Sequence, residues 1–115
     1  MPKERPIRVQ RKRTKGWKMP ENTVSVTRPG KWGNPFKVGE VIWNPEYERM
    51  SLITPKSIEE CVRLYEIYIK NGLARRNSWI SKDLHELKDT NLACFCALDK
   101  PCHADILLEL ATNII

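Results

Sequence analysis

The segment Asn91-Leu92-Ala93-Cys94-Phe95-Cys96 constrains the fold more than any other part of this chain. It is apolar after its first residue, so as a strand it needs cover on both faces. Pro101 follows, suited to the first turn of a helix. Ala104, Leu107, Leu108 and Ala111 then share one helical face. A buried strand feeding a helix is a β-to-α unit, and such a unit needs other strands beside it.

Those strands are expected upstream. Residues 7–11 (Ile-Arg-Val-Gln-Arg) alternate apolar and polar, and residues 23–27 (Thr-Val-Ser-Val-Thr) are β-branched and alternating. Between them Gly16 and Pro20 mark a loop. Residues 38–43 predict a short strand or hairpin arm stopped by Asn44-Pro45, and residues 46–56 read as irregular. Ser57 opens the clearest helix. Ser57 and Glu60 match a capping box. Ile58, Cys61, Val62, Tyr65, Tyr68 and Ile69 fall on one face, and Asn71-Gly72 predicts a left-handed stop. Residues 81–88 predict a shorter helix with Leu84 and Leu87 inward. The expected fold is α/β, a single small domain over residues 1–115, with a mixed sheet flanked by helices. Pattern alone leaves open a Rossmann-like winding.

Charge is concentrated at one end. Residues 1–19 hold eight Lys/Arg (Lys3, Arg5, Arg8, Arg11, Lys12, Arg13, Lys15, Lys18) against Glu4, whereas residues 20–115 hold twelve against thirteen Asp/Glu. Such a block attracts polyanions through long-range electrostatics and counterion release. Arg8, Arg11, Lys12, Arg13, Lys15 and Lys18 are therefore candidate nucleic-acid contacts. The bland alternative is a solubilising terminus, and residues 1–6 are expected to be a flexible basic segment. No apolar run approaches the roughly 20 residues needed to cross a bilayer. The N-terminus also lacks the apolar core of a signal peptide. A cytoplasmic chain without a membrane partner is expected, with its four cysteines as thiols or ligands rather than disulfides.

Cys94, Cys96, Cys102 and His103 place four soft or borderline ligands within ten residues. One reading is a zinc site. Against it, C-x-C is not the familiar knuckle spacing, and two cysteines on one strand face stand about 6.6 Å apart unless the strand ends between them. The other reading is an active site at the strand-to-helix crevice. There a helix N-terminus favours anions and lowers a thiol pKa. Cys102 becomes a candidate nucleophile, His103 an acid, base or phosphate contact, and Asp105 an acceptor for a substrate hydroxyl. Each thiol could instead be a small buried hydrophobe, a reading strongest for Cys61.

A second cluster, Trp32-Gly33-Asn34-Pro35-Phe36, follows the Arg28-Pro29-Gly30-Lys31 turn. Trp32 could stack on a base, Asn34 could read a base edge or sugar hydroxyl, and Gly33 permits close approach of a ligand. Arg28 and Lys31 could hold phosphate. Alternatively the loop is a rigid plug, with Trp32 and Phe36 in the core and Asn34 bonded to its own backbone. Trp17, Trp43 and Trp79 are expected in the core or at its rim.

The two motifs together resemble a small bacterial and phage family known only as a domain of unknown function. Its pattern is a W-G-N-P-F loop near the start and a C-x-C segment closing on C-H-A/G-D. Here those are Trp32 to Phe36 and Cys94-Phe95-Cys96 through Cys102-His103-Ala104-Asp105. The resemblance covers most of residues 7–111. Phe95 stands where the family commonly has Trp. The closing Cys-His is also similar to a second uncharacterised family, which has C-x-E, then Cys-His-Arg, and an implied Rossmann-like sheet. This chain has Cys96 for the glutamate and Asp105 rather than arginine nearby. The resemblance implies phage-linked or nucleic-acid-linked biology and supplies no activity or cofactor. A nucleotide- or nucleic-acid-binding domain is the leading expectation, with processing of the ligand left open. A non-enzymatic nucleic-acid-binding module using the basic arm and a zinc-stabilised interaction domain are the alternatives.

Overall fold

The computed structural model describes residues 6–28, 30–47, 51–75 and 78–113. The expected flexibility of residues 1–6 concerns a stretch lying almost wholly outside them. Strands β1 (Arg8–Gln10) and β2 (Thr23–Ser25) form where the alternation predicts. Two short strands follow, β3 (Ile42–Trp43) and β4 (Leu52–Ile53). The last strand, β5 (Asn91–Cys94), lies between the first two in a three-stranded sheet of order β1-β5-β2. Both pairings are parallel, with Val9 opposite Ala93 and Val24 opposite Leu92. The antiparallel pairing is confined to a separate β3–β4 ribbon, which joins Ile42 to Ile53. The domain is therefore α/β with parallel and antiparallel pairs, as the pattern implied. The irregular reading of residues 46–56 missed β4, whose two residues are too few for an alternation to show.

The buried strand expected over residues 91–96 forms only as far as Cys94: Leu92, Ala93 and Cys94 are buried, whereas Phe95 is exposed and Cys96 half-buried. Helix α1 (Ile58–Leu73) carries the core's other wall. The Ser57 hydroxyl accepts the Glu60 N–H, the N-terminal cap its sequence predicts. Cys61, Tyr65 and Ile69 face inward at the expected spacing, joined by Leu64. Ile58, expected on that face, is exposed because it occupies the first turn, beyond the packed region. Helix α2 (Trp79–Asp83) runs into a 3-10 turn over Leu84–Leu87, with both leucines inward as predicted. Helix α3 (His103–Thr112) buries Ala104, Leu107 and Ala111 against β5 and α1. Each such leucine contributes about 1.5–3 kcal/mol by leaving water. No described helix is long and apolar enough to cross a membrane.

Gly72 does not act as the expected left-handed stop. It lies inside α1, one residue before its end, and is buried. A Cβ there would collide with Ile80 Cδ1 and come within 3.0 Å of Ile80 Cβ. The glycine is required by the approach of α2, so its role is steric. Gly72→Ala should gain up to about 1 kcal/mol in helix propensity yet lose about 1–3 kcal/mol to overpacking. Urea denaturation should show net destabilisation, and Ile80→Val in the same background should recover part of it.

Candidate metal centre at the strand-to-helix junction

All three parallel strands deliver their C-terminal ends to one edge of the sheet, where α3 also begins. β5 stops at Cys94, and the chain turns at Phe95. That ending releases the geometric objection to a shared thiol site. The sulfur atoms of Cys94, Cys96 and Cys102 all lie within 4.8 Å of one another. Cys94 and Cys102 are 3.0 Å apart, beyond the roughly 2.05 Å of a disulfide. Both are buried, and Cys96 is half-buried. Cys61, by contrast, sits alone in the core as a small apolar residue, its thiol pushed up by burial.

Cys102 is the N-terminal cap residue of α3, but its side chain makes no capping bond. It turns to Cys94 instead. The expected acidification by the helix start is reversed. The hydrogen bond to Cys94, followed by burial, pushes the Cys102 thiol up to about 11. The same bond, shared with Cys102, lowers Cys94 below an ordinary thiol. Burial raises Cys96, and Cys102 adds to the effect. A free Cys102 is thus a protonated donor rather than a ready nucleophile.

His103 is buried beside them. Its Nε2 lies 2.7 Å from the Val26 carbonyl oxygen. A carbonyl can only accept, so Nε2 carries a proton and donates there. Nδ1 stands 3.5 Å from Cys102 Sγ. The Tyr65 ring meets the imidazole edge-on at 5.0 Å. Asp105 pairs through Oδ2 with Arg8 at 3.0 Å, and its side chain is otherwise half exposed.

Arg8 is a correction to the basic-arm reading. Its side chain is only 7% exposed. One guanidinium nitrogen holds Asp105, and the other donates to the Ala97 and Leu98 carbonyls at 2.9 and 2.7 Å. The first strand therefore clamps the loop between Cys96 and Cys102. Arg11 is also partly committed, donating to the Ser25 and Thr27 hydroxyls at 3.0 and 2.9 Å. Its guanidinium lies 4.7 Å from the Phe95 ring centre, and that of Arg13 lies at 4.5 Å. Lys12, Arg13, Lys15 and Lys18 remain exposed. Phe95, read from sequence only as a substitution for Trp, is the platform of this stack. Periodicity gives no signal for it, since its partners lie more than 80 residues away in sequence.

The Trp32–Phe36 loop adopts the plug arrangement, with Trp32 and Phe36 in the core. Trp32 is 3% exposed, and its indole N–H donates to Glu86 at 2.8 Å. Its carbonyl accepts the Tyr65 hydroxyl at 2.7 Å. Asn34 spends both amide groups, donating to Cys61 O at 3.2 Å and accepting the Phe36 N–H at 2.8 Å. A Cβ on Gly33 would come within 2.9 Å of the Arg28 backbone, so the glycine admits the chain itself. Lys31 bridges Asp83 and Glu86 at 3.0 and 2.7 Å. Glu86 is held below the usual carboxylate range by Lys31 and then by Trp32. Arg28 alone of these five candidates is exposed without a described ion pair.

Residues 9–113 match the family described as a domain of unknown function, DUF4326. The chain belongs to this family. No curated protein and no solved structure matches it. The matched span opens inside β1 and closes just beyond α3, so it contains the parallel sheet apart from Arg8, the thiol cluster and the Trp32 plug.

In this DUF4326 domain the clamp and the exposed arm should separate cleanly by mutation. Arg8→Ala should destabilise by about 2–3 kcal/mol, since it strands partly buried carbonyls and removes a charge-assisted bond. Arg8→Lys should restore little, because an ammonium cannot span three acceptors. Lys12→Ala should stay within about 0.5 kcal/mol of the parent. Chemical denaturation of the three variants measures this.

Proposed function

We propose that the domain binds nucleic acid along the C-terminal edge of its parallel sheet, and that a zinc ion on Cys94, Cys96 and Cys102 holds that edge in shape. The observation that carries this reading is the convergence of three thiols within 4.8 Å at the end of β5 and the start of α3. Zinc with thiolates at about 2.3 Å sets them about 3.8 Å apart in a tetrahedron, so Cys94 and Cys102 need to separate by less than an ångström.

His103 supplies the fourth ligand. Its Nδ1 is 3.5 Å from Cys102 Sγ, but the imidazole lies outside the 4.8 Å group of the three sulfurs and must turn inward to bind; the Nε2–H bond to Val26 O is the outer-shell contact that usually orients a ligating imidazole. The metal would fix Cys94 and Cys96 on either side of Phe95. It would thereby fix the ring on which Arg11 and Arg13 stack. Lys12, Arg13, Lys15 and Lys18 then face the phosphates. Their contribution is electrostatic and independent of base sequence.

Protein purified under reducing conditions should carry one zinc per chain by elemental analysis. Chelator should lower its melting temperature, and metal should leave as the pH falls, because the ligands must be deprotonated. Cys96→Ser should weaken retention of the metal. Binding to short DNA and RNA should fall with salt. Reversing charge at Lys12, Arg13, Lys15 and Lys18 together should reduce the slope of log affinity against log salt by about 3. Absence of stoichiometric metal from fully reduced protein would remove the zinc centre. Absence of nucleic-acid binding at low salt by folded, metal-loaded protein would remove the rest.

A further inference from the structure

A cleft of about 760 Å³ opens between the β3–β4 ribbon and the junction of α1 with α2. This is within the roughly 300–1,000 Å³ of small-molecule sites. Trp43, Tyr68 and Trp79 form its aromatic walls. Trp43 and Trp79 are 38% and 36% exposed, so each offers ring surface while its remainder is packed. Trp43 meets Phe36 at 5.4 Å and Tyr68 at 5.5 Å, and Trp79 meets Trp32 at 5.0 Å. These contacts hold the rings in place before any ligand arrives, which limits the entropy lost on binding.

The polar groups are few and complementary. Asn44 is 7% exposed, and its Oδ1 accepts the Glu46 N–H at 2.9 Å. Its amide Nδ2 has no partner among the described residues. That donor lines the cleft, where a ligand can bond it. Asn71 does the reverse. It donates Nδ2 to the Pro45 carbonyl at 2.8 Å and leaves its Oδ1 as an acceptor. Arg75 is the charged residue among the described lining residues.

We infer that this cleft binds a nucleoside monophosphate, either free or as the terminal nucleotide of a single strand. Aromatic faces suit a planar base, the two amides suit a base edge that both accepts and donates, and Arg75 suits the phosphate. A cationic ligand would be repelled by Arg75, and a purely apolar one would leave the Asn44 amide unpaired. None of these six residues belongs to the thiol cluster or the basic rim, so the inference stands apart from the zinc-centred reading.

The full chain, titrated with AMP, GMP, CMP and UMP, should show saturable quenching of tryptophan fluorescence by at least one of them. The matching nucleoside, lacking phosphate, should bind about tenfold more weakly. Arg75→Glu should erase that difference. Asn44→Asp keeps the acceptor for Glu46 and removes the donor, so it should weaken base binding while the melting temperature stays near the parent's. A short single strand with a 5′-phosphate separates the two sources. If it binds where free monophosphates do not, and both variants weaken it, the site takes a strand end. No saturable binding of monophosphate or strand by folded protein overturns the inference, as does binding indifferent to both variants. Charge reversal at Lys12, Arg13, Lys15 and Lys18 should leave monophosphate binding unchanged; its loss there would assign the binding to the sheet edge instead.

Discussion

The fold depends on the insertion of β5 between β1 and β2. Main-chain bonds from both sides hold it: Leu92 N–H to Ile7 O at 3.1 Å and Arg11 N–H to Cys94 O at 2.7 Å on one flank. Asn91 N–H to Asn22 O and Val26 N–H to Ala93 O, both at 2.9 Å, complete the other. The sheet cannot close until residues near both ends of the chain meet. Ordering the intervening loop is an entropic cost that these bonds and the apolar cover of β5 must offset. One consequence is spatial. Because the pairings are parallel, residues 11, 26 and 95 all emerge on the same edge, and the thiol cluster forms there.

Polar side chains reinforce that arrangement from the inside. Arg8 reaches across from β1 to the loop that precedes α3, and His103 reaches back from α3 to the end of β2. Tyr65 links the imidazole to the Trp32 carbonyl, and Trp32 links onward to Glu86. Arg8, His103, Tyr65 and Trp32 are buried or half-buried, so leaving one of their polar groups unsatisfied would cost about 1–3 kcal/mol. The buried site is thereby tied to the Trp32–Phe36 loop. Lys12, Arg13, Lys15 and Lys18 and the aromatic cleft lie outside this network.

Much of the local structure was legible from residue order. The Ser57 cap, the inward Cys61-Tyr65-Ile69 row, the Leu84–Leu87 pair and the burial of β5 follow from spacing alone, because each depends on near neighbours and on hydrophobic periodicity. The cysteine and histidine cluster was also visible as a cluster. The sequence could not show that β5 stops at Cys94. Ladder pairing with β1 and β2 sets that end, and it decides whether three sulfurs share one point. It likewise could not show Arg8 as a clamp rather than a surface charge, since the Ala97 and Leu98 carbonyls it satisfies are brought near only by the sheet. Gly72 and Gly33 read as conformational signals, yet both serve close packing against partners distant in sequence. The pocket walls joined by Trp43, Asn44, Arg75 and Trp79 arise where a two-residue ribbon meets a helix junction. Residue order determined which side chains this domain has to bury; the tertiary structure decided which of them meet, because parallel strand pairing is a contact between chain ends.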